Sequence, residues 1–204
     1  MNKMEQLKSE MAATIRAYNS KGWSPATSTN YSFRNPVDDS MIYVSRSGVD
    51  KSLFSDSDFI TVDRKGNPIG DDATSIPSAE TLIHCVIYDF FPETQVILHS
   101  HSVYPVLISQ THNDSVEFEG YEIQKGFAGQ ITHDTIVSIP IFDNTQNMIE
   151  FSEVLFSNKH TLFNHTFIMR KHGTYAWGKN LFEAKRHLET LEYLCQCKWM
   201  SKSK

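Results

Sequence analysis

The sequence predicts an α/β fold in which a central, mostly antiparallel sheet is flanked by helices. Three observations point there. Short β-rich runs and amphipathic helical runs intermix along the chain, and they lack the regular strand–helix–strand rhythm of a parallel sheet. No internal repeat, low-complexity tract or long linker divides them. At 204 residues the chain suits a single domain, 1–204, large enough to bury a core without disulfide or metal staples.

Met4, Leu7, Met11, Ile15 and Tyr18 recur at steps of three and four, which predicts a first helix stopped near Gly22. Residues 23–35, rich in Ser, Thr and Asn, read as a loop entering a short strand. Met41 to Val44 reads as a second strand closed by Ser47-Gly48, and the turn residues of 63–70 predict a hairpin. Pro77-Ser78 opens a helix with Ser78 as its N-cap, ended before Pro92. Thr94 to His99 predicts a strand and Val103 to Gln110 a helix. Ile136 to Phe142 alternates around Pro140, which predicts a strand near a sheet edge. Phe167 to Arg170 reads as a further strand. Leu181, Ala184, Leu188, Leu191 and Cys195 mark a long C-terminal helix.

Composition narrows the function. A net charge of −5 offers no basic footprint for nucleic acid and argues against an anionic membrane surface as partner. No apolar run reaches the length of a membrane span. The opening MNKMEQLKSEM reads as an amphipathic helix and not as an export signal. Cys85, Cys195 and Cys197 form no disulfide framework and read as buried thiols. The compartment expected is the cytosol.

His99-Ser100-His101 is the sharpest local feature. Residues two apart in a strand share a face, so both imidazoles can address one ion while Ser100 points away. A catalytic zinc commonly takes three protein ligands, and His172, followed by the permissive Gly173, is the candidate third. Among nine histidines a chance H-x-H pair is unremarkable, so on spacing alone a metal site and plain structural histidines both stay open. His84, His112, His133, His160, His165 and His187 read as solvated or structural.

Three strings add to this: PSAETLIH at 77–84, ILHSHS at 97–102 and RKHGTYAWG at 170–178. In this order and at these distances they resemble the class II aldolase/adducin superfamily over nearly the whole chain. GWSPATSTNYSFR (22–34), GYEIQKG (120–126) and PIFDNTQNM (140–148) look like its dehydratase branch. The resemblance implies a three-layer α/β/α class II aldolase-like domain, assembled as a homotetramer with active sites between subunits. It implies one Zn²⁺ per subunit on His99, His101 and His172. It also implies dehydration of 5-methylthioribulose 1-phosphate to 2,3-diketo-5-methylthiopentyl 1-phosphate and water, a step of methionine salvage.

Glu122 matches the dehydratase's acid/base, and Glu80 sits where the aldolases place their own catalytic carboxylate; a carboxylate favoured by the helix dipole is the plainer reading of Glu80. Thr27, Asn30, Ser47, Gly48 and Ser78 match phosphate-binding positions, with Lys125 as an added charge or a solvated lysine. Phe33, Tyr121, Phe142 and Trp177 are candidates for an apolar pocket around a thioether tail. Two positions depart from the pattern: Thr29 stands where the family usually has Gly, and Arg46 where it has Pro. Two rival readings keep the scaffold: an aldolase that cleaves a 1-phosphorylated ketose with Glu80 as base, and an adducin-like interaction domain without metal.

Overall fold

The structure, a computed structural model, describes residues 2–201. Eight strands form one sheet: β1 Tyr31–Arg34, β2 Ile42–Ser45, β3 Phe59–Val62, β4 Val96–Ser100, β5 Ser115–Phe118, β6 Val137–Phe142, β7 Thr166–Met169 and β8 Gly173–Gly178. Their spatial order is β3-β2-β1-β4-β8-β7-β6-β5, and every neighbouring pair is antiparallel except β6 with β7. The helices are α1 Lys3–Ser20, α2 Thr81–Phe90, α3 Val103–Thr111, α4 Met148–Ser157 and α5 Leu181–Ser201. No helix among the described residues is long and apolar enough to cross a membrane.

Strand alternation sorts the core into two layers. Ile97 of β4 and Tyr175 and Trp177 of β8 pack with Ile83 and Ile87 of α2 and Phe151 and Leu155 of α4. On the opposite face, Val96 and Leu98 of β4 and Ala176 of β8 meet Met11 and Ile15 of α1 and Leu188 of α5. Ile108 of α3 and Leu191 of α5 cover β5, β6 and β7 on that same side. The result is the three-layer α/β/α sandwich with a mostly antiparallel sheet.

Helix α1 begins at a reciprocal cap: Asn2 Oδ1 accepts from Glu5 N–H and Glu5 Oε2 accepts from Asn2 N–H, both at 2.9 Å. It ends just before Gly22, whose φ of 77° breaks the helical path. The 63–70 hairpin is present, with Asp63 N–H donating to Asn67 O and Val62 bridging Pro68.

One expectation is revised. Ser78 is not the N-cap of α2, because Ala79 and Glu80 form a turn ahead of Thr81; Ser78 Oγ instead accepts from Glu80 N–H at 3.3 Å. Strand β6 lies near the sheet edge as expected, with β5 outside it. Pro140 is tolerated because β7 pairs with β6 only from Ile141 onward, so no β7 partner faces the missing N–H. Strands β3, β5 and β8 and helix α4 occupy segments for which the sequence reading proposes no element.

The centre of the sheet is the β4–β8 pair, with His99 opposite Tyr175 and Ser100 opposite Thr174. Gly173 makes that pairing possible. A Cβ there would stand 2.0 Å from the Ser100 carbonyl oxygen and 3.0 Å from His101 Cδ2. Both neighbours are held by the fold, so Gly173→Ala is expected to cost about 1–3 kcal/mol, the usual scale of overpacking. Denaturant unfolding of the variant checks this, and an unchanged midpoint would contradict it.

Candidate metal centre

Three histidines converge at the end of β4. His99 points to the α2 side, as its alternation with Leu98 dictates. His101 lies one residue beyond the strand's end, not inside it, yet the chain stays extended enough to bring its Nε2 within 2.8 Å of His99 Nε2. His172 occupies the 170–172 turn joining β7 to β8, where Lys171 takes the left-handed conformation at φ 56°. Arg170 pins that turn, with its guanidinium 2.6 Å from Asp143 and donating to the carbonyls of Ser109, His112 and Asn113. The ring centroid of His172 stands 5.1 Å from that of His99 and 4.6 Å from that of His101. One nitrogen from each of the three lies within 4.8 Å of the others.

The surroundings prepare these rings as ligands. His99 Nδ1–H donates to the Thr174 carbonyl at 2.8 Å, which leaves the Nε2 lone pair facing the cluster. His172 Nδ1 lies 3.3 Å from Asn144 Oδ1. Tyr175 stacks on His99 at 4.1 Å. Burial pushes His99 down to about 4 and His101 down to about 3, the neighbouring imidazoles adding to the effect, so both rings are neutral near pH 7. Two neutral nitrogens facing at 2.8 Å need a proton or a cation between them. A divalent metal fits that demand and the nitrogen donor set.

Glu80 is the hub beside the triad. Its Oε1 lies 3.0 Å from His172 Nε2 and its Oε2 3.5 Å from His99 Nε2. Oε2 also accepts from Asn30 Nδ2 at 2.5 Å and from Tyr175 OH at 3.0 Å. Burial alone would raise this carboxyl, but the His172 hydrogen bond, the two imidazoles and Asn30 outweigh it and hold the group well below the usual carboxylate range. Asn30 is oriented in turn, because its Oδ1 takes a short hydrogen bond from His84 Nε2–H. His84 Nδ1 then accepts from Ser32 Oγ at 2.7 Å, and Ser32 from Tyr88 OH at 2.8 Å. The chain of donors runs one way and ends on Glu80.

On the other face, Ser100 turns away from the triad, as the strand period requires. It donates to Glu192 of α5 at 2.6 Å, and Ser102 donates to the second carboxylate oxygen. Burial pushes Glu192 up to about 7 against the lowering effect of these hydroxyls. This carboxylate ties the His-Ser-His-Ser segment to α5, a role that sequence reasoning missed because a helix glutamate reads as solvated.

Thr27, Asn30, Ser47, Gly48 and Ser78 line one cavity of about 180 Å³ together with Glu80 and His101. Ser28 lines it too, with a buried Oγ that has no hydrogen-bond partner among the described residues. The Asn30 side chain, however, is already committed to Glu80 and His84. Thr29 stands at φ 74°, a strained position for a β-branched residue, and its hydroxyl donates to Ser24 and Tyr31. Arg46 is exposed and is not among the cavity's lining residues.

Glu122 is elsewhere in the protomer: exposed, 2.6 Å from Lys125 and 3.2 Å from His133, and not in contact with the triad. Phe33 and Trp177 lie wholly inside the core and line no cavity at the triad, while Phe142, nearly buried, borders a cavity away from it. A larger cavity of about 750 Å³ beside α4 contains none of the triad.

Residues 9–199 match the family described as the class II aldolase and adducin N-terminal domain. A methylthioribulose-1-phosphate dehydratase of Picosynechococcus sp. is 49% identical over 93% of this chain and 90% of its own length. One from Serratia proteamaculans is 40% identical over 97% and 95%. Among solved structures, YgbL from Escherichia coli superposes with a TM-score of 0.81 at 19% identity, covering 98% of this chain and 91% of that one. L-fuculose-1-phosphate aldolase from Thermus thermophilus superposes at 0.73 and 19% identity, covering 98% and 95%. At these identities the two structural likenesses speak to the fold alone.

The buried imidazoles make stability acid-sensitive. His84, His99, His101 and His187 are all held below an ordinary imidazole by burial. Each therefore binds a proton more readily once unfolded, and stability is lost as pH falls below about 6.5, the unfolded value. Glu192 works oppositely, weakening the fold as pH rises from the ordinary carboxylate value to about 7, but it is one group against four. Metal-free protein is expected to lose denaturant midpoint steadily on acidification below about pH 6.5. A midpoint that rises over that range would contradict it.

Proposed function

This chain belongs to the class II aldolase and adducin family, and from that premise we propose that it is a zinc-dependent hydro-lyase. Its reaction converts 5-methylthioribulose 1-phosphate to 2,3-diketo-5-methylthiopentyl 1-phosphate and water, in methionine salvage. The observation that carries this reading is the continuity of the site: the hydroxyl-lined cavity reaches Glu80 and His101 directly. A phosphate held there would set the adjoining ketose against the metal ligands. The similarity to dehydratases at 49% and 40% identity supports the same substrate.

His99, His101 and His172 would hold one zinc ion per subunit. When bound, the ion supplies the Lewis acidity that favours enolisation beside a ketose carbonyl. The chain's own residues do the rest. Hydroxyls of the Thr27–Asn30 and Ser47–Gly48 loops and Ser78 hold the phosphate. Glu80, ionised and fixed by Asn30 and Tyr175, takes the proton from the carbon next to the carbonyl. A second group must protonate the hydroxyl leaving the neighbouring carbon. That role falls to Glu122, which, being exposed and remote from the triad of its own protomer, would act from a neighbouring subunit of a homotetramer. The enol so formed tautomerises to the diketone, and no redox partner is required. Residues 1–204 would work as a single cytosolic domain, without nucleic acid or membrane partners.

The contact of Glu80 with the triad also suits an aldolase that cleaves a 1-phosphorylated ketose with this one carboxylate. The products separate the two. Zinc-loaded protein given 5-methylthioribulose 1-phosphate is expected to form the diketone and no dihydroxyacetone phosphate, with activity lost in His99→Ala. Glu80→Gln and Glu122→Gln are each expected to lower kcat about 100- to 10,000-fold, the range of acid–base catalysis. Full activity of Glu122→Gln would remove it from the mechanism, and an aldehyde product would replace the dehydratase with the aldolase.

A further inference from the structure

Lys51 is a buried charge without a contact ion pair, and Asp58 and Asp50 act on it only at longer range. The residue is 1% exposed, and among the described residues no carboxylate stands within ion-pair distance of its ammonium. Its Nζ donates instead to two carbonyls, Thr27 O at 3.3 Å and Val49 O at 3.1 Å, and lies 5.8 Å from the Phe54 ring. The nearby acids are spent on their own loops: Asp50 accepts from Ser52 N–H, and Asp58 from the N–H and hydroxyl of Ser55. Burial lowers the Lys51 pKa. An ammonium left this way is costly, and a Met side chain of similar volume would do the packing with no such cost.

Its position explains the charge. Thr27 and Val49 belong to, or directly follow, the two loops that wall the 180 Å³ cavity. That lining offers the hydroxyls of Thr27, Ser28, Ser47 and Ser78 but no lysine or arginine. Apart from a metal ion on the triad, a phosphate dianion there would find donors and no cationic side chain, except the ammonium immediately behind the wall. The Thr27 stretch is also in need of support, because Ala26, Thr27 and Thr29 all take left-handed φ values.

We propose that Lys51 is the counter-charge of the phosphate pocket, acting through its field from behind the wall while its two carbonyl contacts clasp the pocket's loops together. It is a positioning residue, since it need not touch the phosphate. The inference rests on the reading of this cavity as the phosphate site.

The test compares wild type with Lys51→Met and Lys51→Gln, using inorganic phosphate as the probe and the phosphorylated ketose as substrate. Lys51→Met is expected to keep its metal content and a melting temperature at or above wild type. Its phosphate affinity should fall at least about tenfold, the scale of a charge-assisted contact, with KM rising in parallel and kcat held. Lys51→Gln retains a donor for the carbonyls but no charge, and is expected to lose affinity as well. Affinity restored by Gln would overturn the role of charge. A Met variant that binds phosphate like wild type, or that melts well below it, would overturn the proposal as a whole. Wild type that binds no phosphate would instead sink the reading of the cavity itself.

Discussion

The pairing of β4 with β8 is the constraint on which the site depends. It places Tyr175 against His99, aims the Thr174 carbonyl at His99 Nδ1, and starts β8 directly after the turn that carries His172. Only a residue without a side chain fits at Gly173, where the two backbones meet. Three imidazoles from two distant segments thus converge without any long flexible linker, and their ordering entropy is met by the sheet itself.

Around this pairing the polar groups divide by face, because alternate residues of β4 look opposite ways. On the α2 side, Glu80 joins the triad to Asn30, and His84 fixes which end of the Asn30 amide meets the carboxylate. On the α5 side, Glu192 holds Ser100 and Ser102. The histidine segment is therefore gripped from both layers. The loops proposed to hold the phosphate are joined from within the core by Lys51, which donates to the carbonyls of Thr27 and Val49. In the proposed function, metal ligation, proton transfer and anion binding share one short stretch of backbone scaffold.

Much of this was legible in the residues. The period of two at His99 and His101 told their common face, although His101 lies past the strand's end. The loop residues matched to phosphate binding do line one cavity. What stayed hidden has physical reasons. Strand β8 is buried on both faces between glycines, so GTYAWG shows no alternation. Helix α4 buries Phe151 and Leu155 but exposes Ile149 and Phe156, which blurs its apolar stripe. Lys51 and Glu192 look like surface charges because burial of an ion is set by tertiary neighbours that no local pattern announces. Glu122 matched a motif yet stands apart from the triad of its own chain, beside Lys125 and His133.

The central claim is that His99, His101 and His172 together hold one divalent metal. X-ray absorption spectroscopy on zinc-loaded protein, wild type beside His172→Ala, tests it most directly. The account predicts one equivalent of zinc with three imidazole nitrogens in its coordination sphere, reduced to two in the variant. A sphere containing thiolate sulfur, or an imidazole count that His172→Ala leaves unchanged, would contradict it.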